Sequence, residues 1–377
     1  MKTLKVLIVT GIFPPDHGGP ASYVPAIATA LAQRHKILGV ITLSDELNHE
    51  DSAYSFPVVR IRRKQNQLLR RIQTIITIHK LSCNADVVYL NGLVLEGILA
   101  CKILRNKPVV VKVVGNLIWE TARSKGITQD SIETFQIKSY NLKWDTLKKL
   151  QSWYINQADT VITPSFYLAK IVQGWGVSSQ KNKVIYNAVN SVPTTEKLES
   201  TALVDCVTVG RLVPWKGITE IINVASHNQW RLNIVGDGSW REALEEIVGK
   251  LQSNHLIKFV GSVPKNQVFT EIAKAKIFIL NSTYEGLPHI VLEAKSVGVP
   301  VIATAVGGTP ETITDSVDGF LVLPGDNDAL AHKIRFLLEH PEERQRIGLA
   351  GQKQVQEKFS FNVMVSKTEQ ILESVCT

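Results

Sequence analysis

The sequence predicts an α/β protein made of two doubly wound domains. Three observations predict it. Short runs rich in Val and Ile alternate with amphipathic runs along the chain, the pattern of βα units that build parallel sheets. The alternation halts at a polar stretch, Thr194 to Leu203, and then begins afresh. The length, 377 residues, is that of two domains rather than one.

Composition narrows the class. A hydrophobic content of 44% and a charged content of 20% describe an ordinary globular chain. The four cysteines, Cys83, Cys101, Cys206 and Cys376, are scattered and form no CxxC. That argues against a zinc site or disulfide framework and fits a reducing cytoplasm. The N-terminal run Leu4 to Val9 is too short for a signal peptide, lacks a small-residue cleavage site, and reads as a first buried strand. No apolar run approaches the roughly 18 residues that would cross a bilayer.

Charge is uneven. Residues 1–187 carry 24 Lys and Arg against 12 Asp and Glu, a net of +12; residues 188–377 carry 18 against 22, a net of −4. A basic half joined to a mildly acidic half suggests that the first meets an anionic partner. A membrane surface, a lipid-phosphate acceptor and nucleic acid are the candidates. The plainer alternative is a basic surface kept for solubility.

In the first half, Lys5 to Val9 reads as a strand. The loop Gly11 to Pro20 follows, holding Gly18 and Gly19, where a ligand can approach the backbone closely. Ser22 is expected to introduce the next helix. Strands are expected at Leu38–Leu43, Val58–Ile61, Asp86–Leu90, Pro108–Val114, Thr160–Thr163 and Val184–Tyr186. A helix from about Asn66 to Leu81 places Leu68, Ile72, Ile75, Ile76 and His79 on one stripe, with Arg70, Arg71 and Lys80 elsewhere. Such a stripe packs on a sheet or lies on a membrane surface. A helix is expected at Leu95–Leu104, and residues 121–155 read as mostly helical. There Tyr140, Trp144, Trp153 and Tyr154 interleave with Lys138, Lys143, Lys148 and Lys149. That mixture suits single-stranded nucleic acid, a lipid interface, or a helix core with solvated lysines.

In the second half the expected strands are Val204–Val209, Arg231–Val235, Ile257–Val260, Ile277–Leu280 and Val299–Ala303, the last ending the sheet. Helices are expected from Ile218, over Trp240–Leu251 and Lys265–Ala273, and over residues 328–339, 341–357 and 361–375.

The chain is organised around Asn281 to Glu293. A buried strand ends there, a polar turn and Gly286 follow, Pro288 stands at the expected first helical turn, and the next helix begins at about His289. A strand, a Gly turn and a helix N-terminus make an anion site, because backbone N–H groups and the helix dipole both favour phosphate. Glu285 and Glu293 frame it. Glu293 lies eight residues on from Glu285, and eight helical residues span about 12 Å, about the distance from a sugar on a diphosphate to the ribose at its other end. The plain alternative is an ordinary strand–turn–helix with one acid in the turn and one on a solvated face. Arg211 and Lys216 lie in the loop after the first strand of this half. Both can reach a diphosphate, Arg as a planar fork and Lys as a point charge. Fixed cations there stabilise a departing nucleoside diphosphate more in the transition state than before it. The constellation reads as a nucleotide-diphosphate-sugar site.

Those residues carry a resemblance. Gly210-Arg211-Leu-Val-Pro-Trp-Lys216-Gly217, Val235-Gly236-Asp237-Gly238, Glu285-x7-Glu293 and Val306-Gly-Gly-Thr-Pro-Glu311, with Asp318-Gly319 after it, resemble the retaining glycosyltransferases of family 4, which have the GT-B fold. Gly18-Gly19 also matches. The likeness covers the second half almost end to end, and the first half firmly only over its opening 35 or so residues. It implies two Rossmann-like domains facing across a donor-binding cleft. The N-terminal, acceptor-side domain would be residues 1–190 plus a C-terminal helix at about 361–377 crossing back to it; the nucleotide-sugar domain would be 191–360. Arg211 and Lys216 would hold the diphosphate, Glu285 the sugar hydroxyls and Glu293 the ribose. The backbone of Gly286, Leu287, Pro288, His289 and Ile290 would cradle phosphate and sugar, with Gly210, Gly236 and Asp237 beside the donor. Gly18 and Gly19 would close over the phosphates.

The resemblance further implies transfer with retention and without a metal or other cofactor, to a glycan or lipid-linked acceptor. The scattered cysteines and the charge division make the expected location the cytoplasm or the inner face of the membrane, with the basic first half on an anionic surface; nucleic acid is not an expected partner, because the basic residues form no recognised module. The family's His after the strand at 108–114 has no counterpart here; Asn116 or Glu120 stands in that region as a contact to donor sugar or acceptor. Asp326-Asn-Asp328 has the DxD spacing of metal-dependent transferases but precedes a helix, where carboxylates are common caps. The alternatives are a sugar-nucleotide epimerase of the same architecture and an inactive nucleotide-sugar binder.

Overall fold

The computed structural model describes residues 3–16, 18–189 and 204–376. Two compact units emerge: Met1–Ile185 with Val365–Thr377, and Tyr186–Met364. The polar stretch Thr194 to Leu203 lies outside the described residues.

The first unit is a seven-stranded sheet of β1 (Lys5–Thr10), β2 (Lys36–Ser44), β3 (Val58–Arg62), β4 (Val87–Asn91), β5 (Val109–Lys112), β6 (Thr160–Thr163) and β7 (Asn182–Val184), in the order β3-β2-β1-β4-β5-β6-β7. Every pairing is parallel. The central strands are buried end to end, as a sheet covered on both faces requires. The helices are α1 (Gly19–Ala32), α2 (Gln67–Ser82), α3 (Val94–Ile98), α4 (Leu117–Ser124), α5 (Ile132–Ile137), α6 (Leu142–Asn156) and α7 (Phe166–Gln173). The second unit is a six-stranded parallel sheet of β8 (Val204–Val209), β9 (Leu232–Val235), β10 (Ile257–Gly261), β11 (Ala275–Leu280), β12 (Val301–Thr304) and β13 (Phe320–Val322), in the order β10-β9-β8-β11-β12-β13. Its helices are α8 (Ile218–His227), α9 (Arg241–Lys250), α10 (Lys265–Ala273), α11 (His289–Ser296), α12 (Asn327–Glu339) and α13 (Pro341–Lys358). One apolar cluster carries Ile221, Leu244 and Ile334 on one face of this sheet; another carries Ile272, Val291 and Ala294 on the other.

Strand order reverses once in each unit, between β1 and β4 and between β8 and β11. Ligands of open α/β sheets bind outside the carboxyl ends of the strands at such switch points. The loops after β8 and β11, which carry Lys216 and Glu285, therefore meet at the switch point of the second unit.

The last helix, α14 (Phe361–Ser374), belongs to the first unit from Val365 onward. Glu369 ties it there, 3.0 Å from Arg34 Nη1 and 3.1 Å from His35 Nε2. The Tyr23 hydroxyl bonds Thr368 on the same helix.

Several elements differ from the sequence expectation. Helix α1 starts at Gly19, because Pro20 fits a first turn, and Ser22 lies inside it. The helical stretch 121–155 is three helices, broken by the left-handed Gly126 and by the segment after Ile137. Asn116, Ser131 and Asn141 cap the three pieces, and Trp144 is core. The helix expected at Leu95–Leu104 is α3 followed by a π-helical turn, Leu99–Ile103. The second sheet does not end at β12: β13 adds a strand. The stripe on α2 is not its buried face, which is Thr74, Ile78 and Ser82.

Candidate active site

Three loops of the second unit are laced together by their backbones. The N–H of Gly210 donates to Val235 O, that of Leu212 to Asp237 O, and that of Trp240 back to Leu212 O. A Cβ on Gly236 would lie 2.0 Å from Gly210 O, so the loop after β9 packs directly on the loop after β8. The loop after β11 joins from the other side. Thr283 N–H donates to Trp215 O at 2.8 Å, and the Asn281 amide donates to Gly217 O at 3.2 Å. Gly217 takes a left-handed conformation, φ 60°, and any Cβ there would meet Asn281 O at 2.0 Å. Only glycine allows this crossing.

The lacing sets the side chains. Lys216 ends a short 3-10 turn, Pro214–Lys216, and its Nζ lies 2.5 Å from Glu285 Oε1. The Ser282 hydroxyl donates to the same oxygen at 2.7 Å. The Glu285 carbonyl accepts from Gly308 N–H at 2.9 Å, which fixes the turn from the β12 side. Lys216 and Glu285 thus meet each other directly, although the resemblance assigns them to different parts of the donor. Arg211 lies in the same loop, exposed, with no ion pair among the described residues. Lys216 is thus paired, while Arg211 carries its charge on the exposed side of the loop.

Pro288 is the cap residue of α11 rather than its first turn, and the helix begins at His289. Only the last four residues between Glu285 and Glu293 rise on the helix, so the 12 Å span read from the sequence overstates the helical part. Pro288 has no polar side chain with which to cap this N-terminus. Leu287 is buried beneath the turn, and Gly286, His289 and Ile290 are partly exposed along it. Glu293 sits half-buried on the first turns of α11. Burial pushes its carboxyl above the ordinary range, against a weaker lowering by the charge of Lys265. Asp237 is exposed; it accepts from Gly238 N–H at 2.7 Å and faces Arg241 Nη1 at 3.3 Å.

In the first unit Gly18 is the cap residue of α1, at φ 138°, and Gly19 opens the helix. The Asn116 side-chain oxygen is committed to capping α4, accepting from Ile118 N–H and Trp119 N–H at 3.1 Å each. That is a structural duty of the kind Asn performs at helix starts. Glu120 lies against Gly115: a Cβ there would be 2.7 Å from its Oε1.

Two charged residues escaped the sequence reading. Lys295, two residues after Glu293, is fully buried. Its Nζ donates to Asp318 Oδ1 and Thr312 O at 2.7 Å each and to Gln354 Oε1 at 2.5 Å. It pins α11 to the segment before β13 and to α13. Lys112 is buried at the end of β5. Nothing in the sequence distinguishes either from a surface lysine.

Asp326 caps α12, accepting from Ala329 N–H at 2.9 Å. One group among the described residues has metal-ligand composition: His35, Glu369 and Glu373, with ligand atoms within 4.8 Å of one another. Its geometry argues against a metal. Leu4 N–H donates to His35 Nδ1 at 3.2 Å, so the neutral ring carries its proton on Nε2, the atom facing Glu369. That nitrogen has no lone pair to give, and the cluster reads as the anchor of α14.

Comparison with known proteins matches this architecture. The family model for glycosyl transferases group 1 matches residues 198–354, and that for glycosyltransferase family 4 matches residues 17–191. A GDP-mannose-dependent monoacylated alpha-(1-6)-phosphatidylinositol monomannoside mannosyltransferase of Corynebacterium glutamicum is 32% identical over 188 residues, 47% of this chain and 48% of that one. Glycogen synthase of Mycobacterium tuberculosis is 25% identical over 230 residues, 59% of this chain and 56% of its own. The chain thus spans about half the length of these curated relatives. Among solved structures, HepE of Anabaena in complex with UDP-glucose superposes with a TM-score of 0.77 at 20% identity, covering 98% of this chain and 100% of that one. Sucrose-phosphate synthase of Thermosynechococcus elongatus does so with a TM-score of 0.82 at 20% identity, covering 99% of each. With one model on each unit and the GT-B architecture throughout, the chain belongs to the group 1, family 4 glycosyltransferases.

Proposed function

We propose that the chain transfers a sugar from a nucleoside diphosphate sugar to a glycan or lipid-linked acceptor, with retention and without a metal, in the synthesis of a cell-surface polysaccharide or glycolipid. The observation that carries this reading is the Lys216–Glu285 pair at the switch point of the second unit, with exposed Arg211 in the same loop as Lys216. Arg211 takes the diphosphate. Lys216 holds Glu285 in place and adds positive charge where the leaving group gains negative charge. Glu285 orients the sugar hydroxyls and Glu293 the ribose. In the reaction the bond from the sugar's anomeric carbon to the phosphate oxygen breaks. The acceptor oxygen bonds that carbon from the same face, and the acceptor's proton passes to the departing phosphate. HepE is solved with UDP and with UDP-glucose, which makes uridine donors the first to test.

The test is a panel of UDP- and GDP-sugars incubated with the full chain, with and without lipid extract, reading released nucleoside diphosphate. The expected result is release that depends on acceptor and falls at least a hundredfold in Glu285→Ala. Conversion of the donor to another sugar nucleotide without acceptor would establish an epimerase. Tight donor binding with no release across the panel would leave a binder.

The reading includes a place of work on the anionic inner face of a membrane. Leu68, Leu69, Ile72 and Ile76 are 66%, 62%, 45% and 47% exposed, and they share about 100° of the α2 surface. Arg62, Lys64, Arg71 and Lys80 are exposed on or just before this helix. An apolar ridge with a basic rim suits the headgroup boundary of an anionic leaflet. No helix among the described residues is long and apolar enough to cross a bilayer.

A further inference from the structure

The first unit has its own switch point, between β1 and β4, and the residues there are unlike ordinary core. Register aligns Thr10 of β1 with Asn91 of β4, and the β4–β5 register, Leu90 opposite Val111, brings Asn91 beside Lys112. Neighbours in register on a parallel sheet point to one face. Asn91 is 7% exposed, and its Nδ2 has no hydrogen-bond partner. Lys112 is 5% exposed, and no carboxylate among the described residues pairs with it. Its Nζ lies 3.5 Å from the centroid of the Tyr23 ring. Tyr23 is on α1, and its hydroxyl bonds that of Tyr89 on β4 at 2.7 Å. The lysine therefore runs from β5 across the end of β4 toward the first turns of α1.

A buried amide donor without an acceptor, beside a buried amine that meets only an aromatic face, is costly, and such groups persist where a ligand completes them. Both are donors and one can carry a full positive charge, so the missing partner is an anion. The start of α1 supports the same sign: Gly18 caps it with no side-chain hydrogen bond, and a helix N-terminus favours negative charge. There is room as well. A Cβ on Gly11, the residue after β1, would meet nothing within 4 Å, whereas one on Gly92 would strike Gly11 N at 2.5 Å, so the strand ends touch and leave one side open.

We propose that Asn91 and Lys112 form an oxyanion site at the carboxyl edge of the first sheet, and that its ligand is a phosphate group. The phosphate belongs to the acceptor, such as a sugar or lipid phosphate. Burial lowers the Lys112 amine to about 7, and no other charged group acts on it. The titratable groups next to it are Tyr23, raised to about 12, and Tyr89, which bonds Tyr23 and is raised well above its ordinary value. Neither changes charge near neutrality. An arriving oxyanion would supply the missing countercharge and raise the amine again, so binding takes up a proton.

The experiment is calorimetry of the full chain with sulfate, an oxyanion that does not titrate in this range. It is run at pH 8 in two buffers of different ionisation enthalpy, with UDP as the second arm. Wild type should bind sulfate with uptake approaching one proton. Lys112→Met should lose the uptake and weaken binding at least tenfold, and Asn91→Leu should weaken it similarly. Sulfate and UDP should bind together, as a site for the acceptor's phosphate requires; sulfate displaced by UDP would overturn that assignment. Binding that takes up no proton, equal binding in wild type and Lys112→Met, or no sulfate binding would overturn the proposal. UDP binding measured in the same protein reports separately on the transferase reading, which survives the loss of this site.

Discussion

Glu293 is an acid whose burial works against its charge. Its folded pKa is raised, so between about pH 4.5 and that raised value the folded state holds the proton more tightly than the unfolded one. Above that window the buried carboxylate costs stability. Glu293→Gln should therefore melt at or above the wild-type temperature at pH 8, with the gain vanishing as the pH falls toward 4.5. The same variant should raise the donor KM about tenfold or more, since a carboxylate accepts from two ribose hydroxyls and an amide does so poorly. Lys112 gives the mirror image. A fall from 10.5 to about 7 corresponds to about 5 kcal/mol for burying the charge. That cost is full below pH 7 and shrinks as the pH rises toward 10.5, where both states are neutral. Lys112→Met should be more stable than wild type at pH 6 and nearly equal to it at pH 10, read by thermal melts across the range. Neither burial is legible in the residues themselves. A lysine closing a strand reads as solvated until Tyr23 covers it, and Asn116, which looked free for substrate, is engaged by two backbone N–H groups of its own helix.

At the scale of elements the second unit depends on how loops and α11 are held. Gly210, Gly217, Gly236 and Glu285 could be singled out in the sequence because glycines and a carboxylate between a buried strand and a helix have few other uses. What no spacing conveyed is that Lys216 and Glu285 bond each other, since 69 residues separate them and their loops meet only because β8 pairs with β11 and the loop backbones then lace together. The three residues of β13 were too few for a period, and the helices over 117–156 merged because their breaks lie in polar turns. Lys295 is the fastener of α11. Its pair with Asp318 is buried, and removing one partner of a buried pair leaves an uncompensated charge. Lys295→Ala should destabilise the protein by about 3–5 kcal/mol. In hydrogen exchange the loss of protection should concentrate in α11, β13 and α13, while β1 to β7 keep theirs. Equal loss in both units would mean that the lysine does not act through α11.

The molecule as a whole divides its charge: the first half is basic and the second slightly acidic, and the exposed apolar ridge of α2 lies in the basic half. A soluble partner would need only the charge, whereas a leaflet uses both. Lysine and arginine near an anionic surface contribute about 1 kcal/mol each, screened over roughly 10 Å at 0.1 M salt. Side chains already half exposed contribute about 1 kcal/mol each on leaving water. Vesicles containing phosphatidylserine should therefore retain the protein at low salt and release much of it at 0.5 M, while phosphatidylcholine vesicles retain little at any salt. Replacing Leu68, Ile72 and Ile76 together by Gln should weaken retention by about 3 kcal/mol, or roughly a hundredfold. Because these side chains lie outside the buried face of α2, the variant should keep its melting temperature and its UDP affinity. Retention by both lipids alike, or a variant held as tightly as wild type, would show that the ridge does not meet the leaflet and that the basic surface serves the acceptor or solubility alone.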